Sequence, residues 1–375
     1  MDNIFLCGGL SFLITFFAIP VIIQVAKEKR LFDEPDERKI HQVVIPTLGG
    51  LGIFSGFVFS ILMGVSFGKN PEFQFFIASA IVVFFLGLKD DILIISPSKK
   101  FIGQVIAAGI LVQFGGIQIN SLHGLLGIQT IPHIANLAIS VLTIVMIINS
   151  FNLIDGIDGL AGALGIISTA SFGIYFMMVQ ETAYATMALA LTGSLVAFLI
   201  FNFPPAKIFM GDTGSLLLGL INSILAIKFI SIASAGNHSI SFNSAPAIGF
   251  SILMIPLFDT IRVFSLRILN RRSPFSADRN HIHHFLLDAG FSHQQTTLIC
   301  VLTNLLFIGI ALFFDGLGTN IEFAILITAG TLFMWSIYFL KNKNQKIESK
   351  MADLKNETAG SHRFLSRKPE ILEVD

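Results

Sequence analysis

The chain has 375 residues, of which 53% are hydrophobic and 13% are charged, and its formal net charge at pH 7 is zero. A typical soluble domain carries about 25% charged residues, so this composition excludes a soluble globular protein, and we expect no nucleic-acid partner. Apolar stretches of about 16 to 22 residues recur along the chain, and each is long enough to cross a bilayer. The sequence therefore predicts an all-α polytopic membrane protein.

About eleven transmembrane helices are predicted within a single integral-membrane domain over residues 1–340. In chain order the predicted spans are 3–26, 48–67, 73–88, 101–116, 133–151, 160–178, 184–201, 216–235, 246–266, 297–315 and 320–340. Residues 117–132 alternate apolar and polar side chains, which predicts a small external β-hairpin. Residues 341–375 are polar without an apolar period, which predicts a disordered cytoplasmic tail.

The loops between these spans alternate sharply in charge. One alternating set carries twelve basic residues, whereas the other carries only Lys69. Because basic residues concentrate in cytoplasmic loops, the N-terminus is predicted outside and the C-terminus in the cytoplasm. The twelve are Lys27, Lys29, Arg30, Arg38, Lys39, Lys89, Lys99, Lys100, Lys207, Arg271, Arg272 and Arg279.

Five aspartates fall at helix ends on this same predicted cytoplasmic side, and the first two are adjacent. Asp90 and Asp91 directly follow the third span. Their mutual repulsion would be relieved by a cation such as Mg²⁺, which prefers hard oxygen ligands. Lys99 and Lys100 follow, and their ammonium groups could hold phosphate oxygens. The alternative is a pair of solvated acids in a short loop.

The segment 149–162, NSFNLIDGIDGLAG, is more specific. Asp155 and Asp158 are three residues apart, so in a helix they share one face. Asn149 and Asn152 extend that polar face. Because ionisable groups at membrane depth are costly, several of them on one face indicate a site. The alternative is a loop in which the Asp-Gly pairs are turn signals.

Asp212 lies in the segment FMGDTGS, just after Pro204-Pro205 and before the eighth span. Its carboxylate could cap the helix by accepting backbone N–H bonds. It could equally bridge Mg²⁺ and a phosphate at a helix start that favours anions. Both interpretations stay open at this point.

The cluster HIHH follows the ninth span and contains His281, His283 and His284, with Arg279 close before it. Imidazoles at this spacing could bind Zn²⁺, but no cysteine or fourth ligand is near. Recognition of an anionic phosphate and its sugar fits better, because Arg makes directional bonds to phosphate.

Two further charged groups have simpler interpretations. Asp259 and Arg262 are three apart within the ninth span and are predicted to neutralise each other. Arg38, Lys39 and His41 in the first cytoplasmic loop are either a basic flank of the membrane span or an edge of the anion site.

Taken in order, Asp-Asp after the third span, NLIDGIDG, FMGDTGS and ADRNHIHH resemble the polyprenyl-phosphate N-acetylhexosamine-1-phosphate transferases, over about residues 20–300. The segments DEPDERKIHQ, SPSKKFIGQ and RRSPFSADRNHIHH are more similar to the members that use UDP-N-acetylglucosamine. The members that use MurNAc-pentapeptide usually have three consecutive histidines followed by Phe-Glu. Here Ile282 interrupts the histidines and Leu286 follows Phe285, which argues against that branch.

The resemblance implies transfer of N-acetylglucosamine-1-phosphate from UDP-GlcNAc to undecaprenyl phosphate with release of UMP. This reaction would initiate a cell-envelope glycan at the cytoplasmic face of the bacterial plasma (inner) membrane. Another UDP-N-acetylhexosamine, MurNAc-pentapeptide included, is the alternative donor. The resemblance also implies Mg²⁺, with Mn²⁺ as the alternative cation, and a homodimer.

Site roles are implied in the same way. Asp90, Asp91, Asp155 and Asp158 become catalytic, with the first two near the lipid phosphate. Asp91 and above all Asp212 become metal ligands. The substrate-binding residues are Lys99, Asn149, Asn152, Arg279, His281, His283 and His284.

Two routes for the transfer stay open, direct attack by the lipid phosphate and a covalent aspartyl-phosphate intermediate. A cation-coupled transporter is the competing class of protein, but transporters place acids near the bilayer midplane. Here the acids lie at predicted helix ends. A purely structural scaffold would leave these one-sided acids unexplained.

Overall fold

A computed structural model describes residues 2–29, 45–236, 239–273 and 280–365. Within those ranges the chain forms thirteen α-helices and two short 3₁₀ helices, and no β-strand. The α-helices are α1 Asp2–Lys29, α2 Gly49–Gly64, α3 Phe73–Ile92, α4 Pro97–Gln113, α5 His133–Ile154, α6 Leu160–Met178, α7 Thr182–Asn202, α8 Gly211–Ala233, α9 Ala245–Ile252, α10 Met254–Leu269, α11 Ile282–Asp288, α12 His293–Phe314 and α13 Thr319–Leu365.

The helices make this a multi-pass membrane protein. Seven of the described helices are long and apolar enough to cross a bilayer, or eight if the bent pair α9 and α10 is one span. Helix α2 has 16 residues and α4 has 17, so α2 rises only about 24 Å. A count of about eleven spans and the predicted orientation therefore stay predictions.

The ninth predicted span is broken, because α9 and α10 meet at an angle of 88°. Pro256 near the start of α10 has no N–H to donate. Asn304 of α12 bonds the backbone groups at the break: its side chain accepts the N–H of Ile255 at 3.0 Å and donates to the carbonyl of Ile252 at 3.0 Å. A broken helix at membrane depth needs such internal partners.

The segment 117–132 forms no regular β-strand, although its two arms pair, and the small external β-hairpin stays a prediction. A single antiparallel bridge joins Ser121 and Thr130, and a 3₁₀ turn lies between them. The arms also bond through the N–H of Leu122, which donates to the carbonyl of Gln129 at 3.1 Å. The first arm is attached to α5 as well, since the N–H of Ile119 donates to the Ser140 hydroxyl at 2.8 Å.

Helix α13 continues to Leu365, and the disordered cytoplasmic tail over residues 341–375 stays a prediction. Residues 341–365 contain five lysines, and lysine is a good helix former. Lys341 also pairs with Asp288 of α11 at 2.8 Å.

Helix α8 lies at the centre of the bundle, and nearly all of its side chains are buried. Its neighbours approach closely at glycines. A Cβ added at Gly50 of α2 would lie 2.2 Å from the backbone nitrogen of Gly214 in α8. A Cβ added at Gly219 of α8 would lie 2.5 Å from Cα of Ile148 in α5. Small residues allow such backbone contact between helices in membranes.

We expect Gly50→Ala to lower the free energy of unfolding by about 1–3 kcal/mol, the usual cost of overpacking. Gly109→Ala in α4 is the matched control, because a Cβ there meets nothing within 4 Å and alanine favours a helix over glycine by about 1 kcal/mol. Thermal unfolding of the detergent-solubilised variants measures both. Equal melting temperatures for the two variants would contradict the close α2–α8 contact.

Candidate active site

All of the predicted site residues except Lys99 and Arg279 line two adjoining cavities at the ends of α3, α5 and α8. The cavities have volumes of about 450 and 620 Å³, and Asp90, Asn152 and Gly156 line both. We call the two together the cleft. The first is lined also by Lys100, Asn149, His281, His283 and His284, and the second by Asp91, Asp155, Asp158, Asp212 and His293.

Asp91 holds the start of α8. Its carboxylate accepts the backbone N–H of Asp212 at 2.6 Å, the N–H of Thr213 at 3.0 Å and the Thr213 hydroxyl at 2.5 Å. The first N–H groups of a helix have no partner within it, so Asp91 caps α8 from a neighbouring helix. The chain enters through Gly211 at φ +70°, where a Cβ would lie 2.1 Å from the Thr47 carbonyl oxygen.

Asp212 does not cap its own helix, and its side chain turns to the cleft. Lys100 of α4 forms ion pairs with both Asp212 and Asp90, the latter at 3.1 Å. Asn152 donates to Asp212 at 2.5 Å and accepts from Lys100 at 3.2 Å. Asp90 also accepts the N–H of Ile95 at 2.9 Å. One ammonium group therefore lies between two carboxylates.

Asp155 and Asp158 do not share a helix face as the spacing predicted. Helix α5 ends at Ile154 and α6 begins at Leu160, so the two acids lie in the turn that the Asp-Gly alternative described. Burial, followed by the charges of Asp212, Asp91 and Asp158, raises the pKa of Asp155 to about 8. Asp158 accepts the N–H of Ala206 at 3.3 Å, and one of its carboxylate oxygens lies 3.6 Å from His293 Nδ1.

The amide side chains of Gln104 and Asn149 form a reciprocal pair in the first cavity. Asn149 donates to Gln104 at 2.7 Å, and Gln104 donates back at 3.3 Å. Lys99, which the sequence prediction made substrate-binding, is exposed, whereas Lys100 lies within the cleft. Adjacent residues of a helix point about 100° apart, so only one of the two lysines of α4 lies in the cleft.

The histidines border the first cavity on its other side. His281 precedes α11, and its Nδ1 lies 2.8 Å from Asp259. His283 is buried, and burial followed by the charge of His284 lowers the pKa of His283 to about 3, so its imidazole is neutral at pH 7. A Cβ at Gly156 would lie 2.3 Å from His283 Nε2, which explains a glycine there. Arg279, Arg38, Lys39 and His41 lie outside the described residues.

The donor set in the cleft fits a hard divalent cation. Carboxylate oxygens are the ligands that Mg²⁺ and Mn²⁺ favour, and Asp90 and Asp212 together carry more negative charge than Lys100 neutralises. As the side chains stand, no His, Cys, Asp or Glu cluster of three or more in the described part of the chain is arranged to hold a metal. Lys100 lies where a cation bridging Asp90 and Asp212 would bind, and both oxygens of Asp91 are engaged by α8.

Comparison with known proteins shows the family of this chain. Residues 73–230 match the model of glycosyl transferase family 4. A probable undecaprenyl-phosphate N-acetylglucosaminyl 1-phosphate transferase of Bacillus subtilis is 32% identical over 79% of this chain and 81% of its own length. The chain belongs to glycosyl transferase family 4. Two undecaprenyl-phosphate alpha-N-acetylglucosaminyl 1-phosphate transferases are each 30% identical to this chain. The match to the one from Salmonella typhi covers 81% of this chain and 83% of the relative's length. The match to the one from Escherichia coli K12 covers 78% of this chain and 78% of the relative's length.

The part that matches the glycosyl transferase family 4 model contains all five aspartates of the cleft, while the histidines come after it. Sequence reasoning did not assign Gln104, Asp259 or His293 to the site. Gln104 lies four residues after Lys100 on the same face of α4, so helical spacing could have found it. The contacts of Asp259 with His281 and of His293 with Asp158 arise only through the tertiary fold, and no local pattern indicates them.

In this glycosyl transferase, we expect substitutions of the adjacent acids Asp90 and Asp91 to differ in their effects on stability and activity. Asp91→Asn should destabilise the protein by about 1–2 kcal/mol, the range for a lost cap, because an amide nitrogen would face the N–H groups of α8. Asp90→Asn keeps an acceptor for Ile95 and should lose activity with a smaller change in stability. Melting temperatures of the two variants test this, and an equal or larger drop for Asp90→Asn would contradict it.

Proposed function

We propose that this protein transfers N-acetylglucosamine-1-phosphate from UDP-GlcNAc to undecaprenyl phosphate, which gives undecaprenyl-diphospho-GlcNAc and UMP. The observation that carries the proposal is the convergence of Asp90, Asp155 and Asp212 with Lys100 and the histidine cluster in one cleft at the helix ends. The names of the relatives from three bacteria support the same reaction. The product would begin an envelope glycan at the cytoplasmic face of the plasma membrane.

The transfer exchanges one phosphoanhydride for another. An oxygen of the lipid phosphate attacks the phosphorus that bears the sugar, a new P–O bond forms, and the bond from that phosphorus to the oxygen of UMP breaks. A phosphomonoester has a second pKa near 6, so the attacking group is largely ionised at neutral pH. Catalysis then depends on positioning and charge neutralisation more than on a strong base.

Lys100 is suited to both positioning and charge neutralisation. Its ammonium group is held by Asp90, Asp212 and Asn152, so it is fixed in the cleft before a substrate arrives. A fixed positive charge in a site of limited water access stabilises a developing anion more than the same charge in solution. Asp90, which pairs with Lys100 at 3.1 Å, would orient the lipid phosphate or accept a residual proton.

Asp90 and Asp212 would hold Mg²⁺, which when bound neutralises charge on the diphosphate. The ammonium group of Lys100, held between the same two carboxylates, would contact phosphate oxygens. The histidine side of the cleft, with Gln104 and Asn149, would take the sugar nucleotide. We place the direct attack ahead of an aspartyl-phosphate route, because Asp90 is engaged by Ile95 and Lys100 while the lipid phosphate needs no activation.

Purified protein with Mg²⁺, undecaprenyl phosphate and UDP-GlcNAc is expected to release UMP, and EDTA should stop the release until Mg²⁺ is restored. Assays with other UDP-N-acetylhexosamines define the donor. Release of UMP from another UDP-sugar but not from UDP-GlcNAc would overturn the donor assignment. Exchange of labelled UMP into UDP-GlcNAc without the lipid would overturn direct attack in favour of the covalent route.

The two lysines of α4 provide a matched pair. Lys100→Gln is expected to lower kcat/KM by about 100-fold, the effect of losing one preorganised electrostatic group. Lys99→Gln should lose far less, because Lys99 is exposed. Steady-state UMP release by both variants measures the difference. A larger loss at Lys99 would show that α4 presents its other face to the substrate.

A further inference from the structure

Asp259 is a buried acid with no part in the proposed chemistry, although three donors converge on it. It lies on α10 and is 1% exposed. One carboxylate oxygen lies 2.8 Å from His281 Nδ1. The other accepts the N–H of Ile282 at 3.1 Å and the guanidinium of Arg262 at 2.7 Å. The predicted Asp259–Arg262 pair is therefore confirmed, but it is only part of a larger arrangement.

The geometry determines which nitrogen of His281 carries the proton. An ionised carboxylate only accepts hydrogen bonds, and the paired Arg262 keeps Asp259 ionised. The hydrogen of the bond between Asp259 and His281 must therefore come from Nδ1. In the neutral imidazole, Nε2 on the opposite side of the ring is then the acceptor. His281 lines the cavity that also contains Gln104 and Asn149.

We propose that Asp259 is a positioning residue that sets the tautomer of His281, so that Nε2 accepts a hydrogen bond from a hydroxyl or amide N–H of the bound N-acetylhexosamine. This inference rests on the proposed function. A hydrogen-bond acceptor at this place matches the donors of a sugar better than it matches a fully ionised phosphate, which offers none. His281 would thus recognise the N-acetylhexosamine rather than the diphosphate.

Asp259→Asn isolates this role, because the amide oxygen can keep the bonds to Ile282 and Arg262 while the amide nitrogen replaces the oxygen that faces His281. The amide N–H would donate to Nδ1 and move the imidazole proton to Nε2, which turns the acceptor into a donor. Asp288→Asn on α11 is the matched control, since Asp288 pairs with Lys341 and lines neither cavity of the cleft.

The experiment combines ¹⁵N NMR of histidine-labelled protein with calorimetric binding of UDP-GlcNAc and of UMP. We expect Nδ1–H at His281 in the wild type and Nε2–H in Asp259→Asn. Affinity for UDP-GlcNAc should fall about 10- to 100-fold, as when an orienting partner or a buried hydrogen bond is lost. Affinity for UMP, which lacks the N-acetylhexosamine, should change less than about twofold. The affinities of Asp288→Asn should match those of the wild type.

A double-variant comparison separates positioning from general structural damage. In a His281→Ala background, Asp259→Asn should cause no further loss of UDP-GlcNAc affinity, because its effect passes through the imidazole. Nε2–H in the wild type, equal losses for UDP-GlcNAc and UMP, or a full additional loss in the His281→Ala background would each overturn the inference. Absence of UMP release by the wild type would overturn the proposed function alone, since tautomer and binding are measured without turnover.

Discussion

The attachment of the start of α8 to the end of α3 is the interaction on which the arrangement of the cleft depends. Asp91 binds the first N–H groups of α8, so Asp212 is not needed as a cap and its carboxylate can project toward Lys100. Close backbone contact makes this possible, because a Cβ at Gly87 of α3 would lie 2.5 Å from Thr213 of α8. Packing of small residues thus determines the electrostatics of the site.

The cleft holds more negative charge than its own cations neutralise. Asp155 shows the consequence, since burial and three neighbouring carboxylates raise its pKa to about 8. Like charges in a desolvated site disfavour each other's ionised forms, and a bound divalent cation would reverse that effect. A cation bound in the cleft, as we propose, would therefore relieve part of the repulsion among these carboxylates.

The sequence predicted the positions of the helices and the residues that line the cleft better than it predicted the geometry inside the cleft. Apolar length indicated the seven described helices that are long enough to cross a bilayer, and cost at membrane depth identified the acids. The choice between Lys99 and Lys100 depended on the phase of α4, and the turn at Asp155 depended on where α5 stops. The pairs Gln104–Asn149 and Asp259–His281 join residues 45 and 22 positions apart, and no local pattern encodes such contacts.

Asp91 and Asp259 show why a count of acids overestimates the groups available to a metal. Each accepts the N–H at the start of a neighbouring helix, α8 or α11, and each thereby fixes the residue that faces the cleft, Asp212 or His281. A carboxylate with both oxygens engaged by such donors has little capacity left for a cation. The acids therefore divide by hydrogen bonding into those that orient and those that face the ligand, and adjacent Asp90 and Asp91 fall on opposite sides of that division.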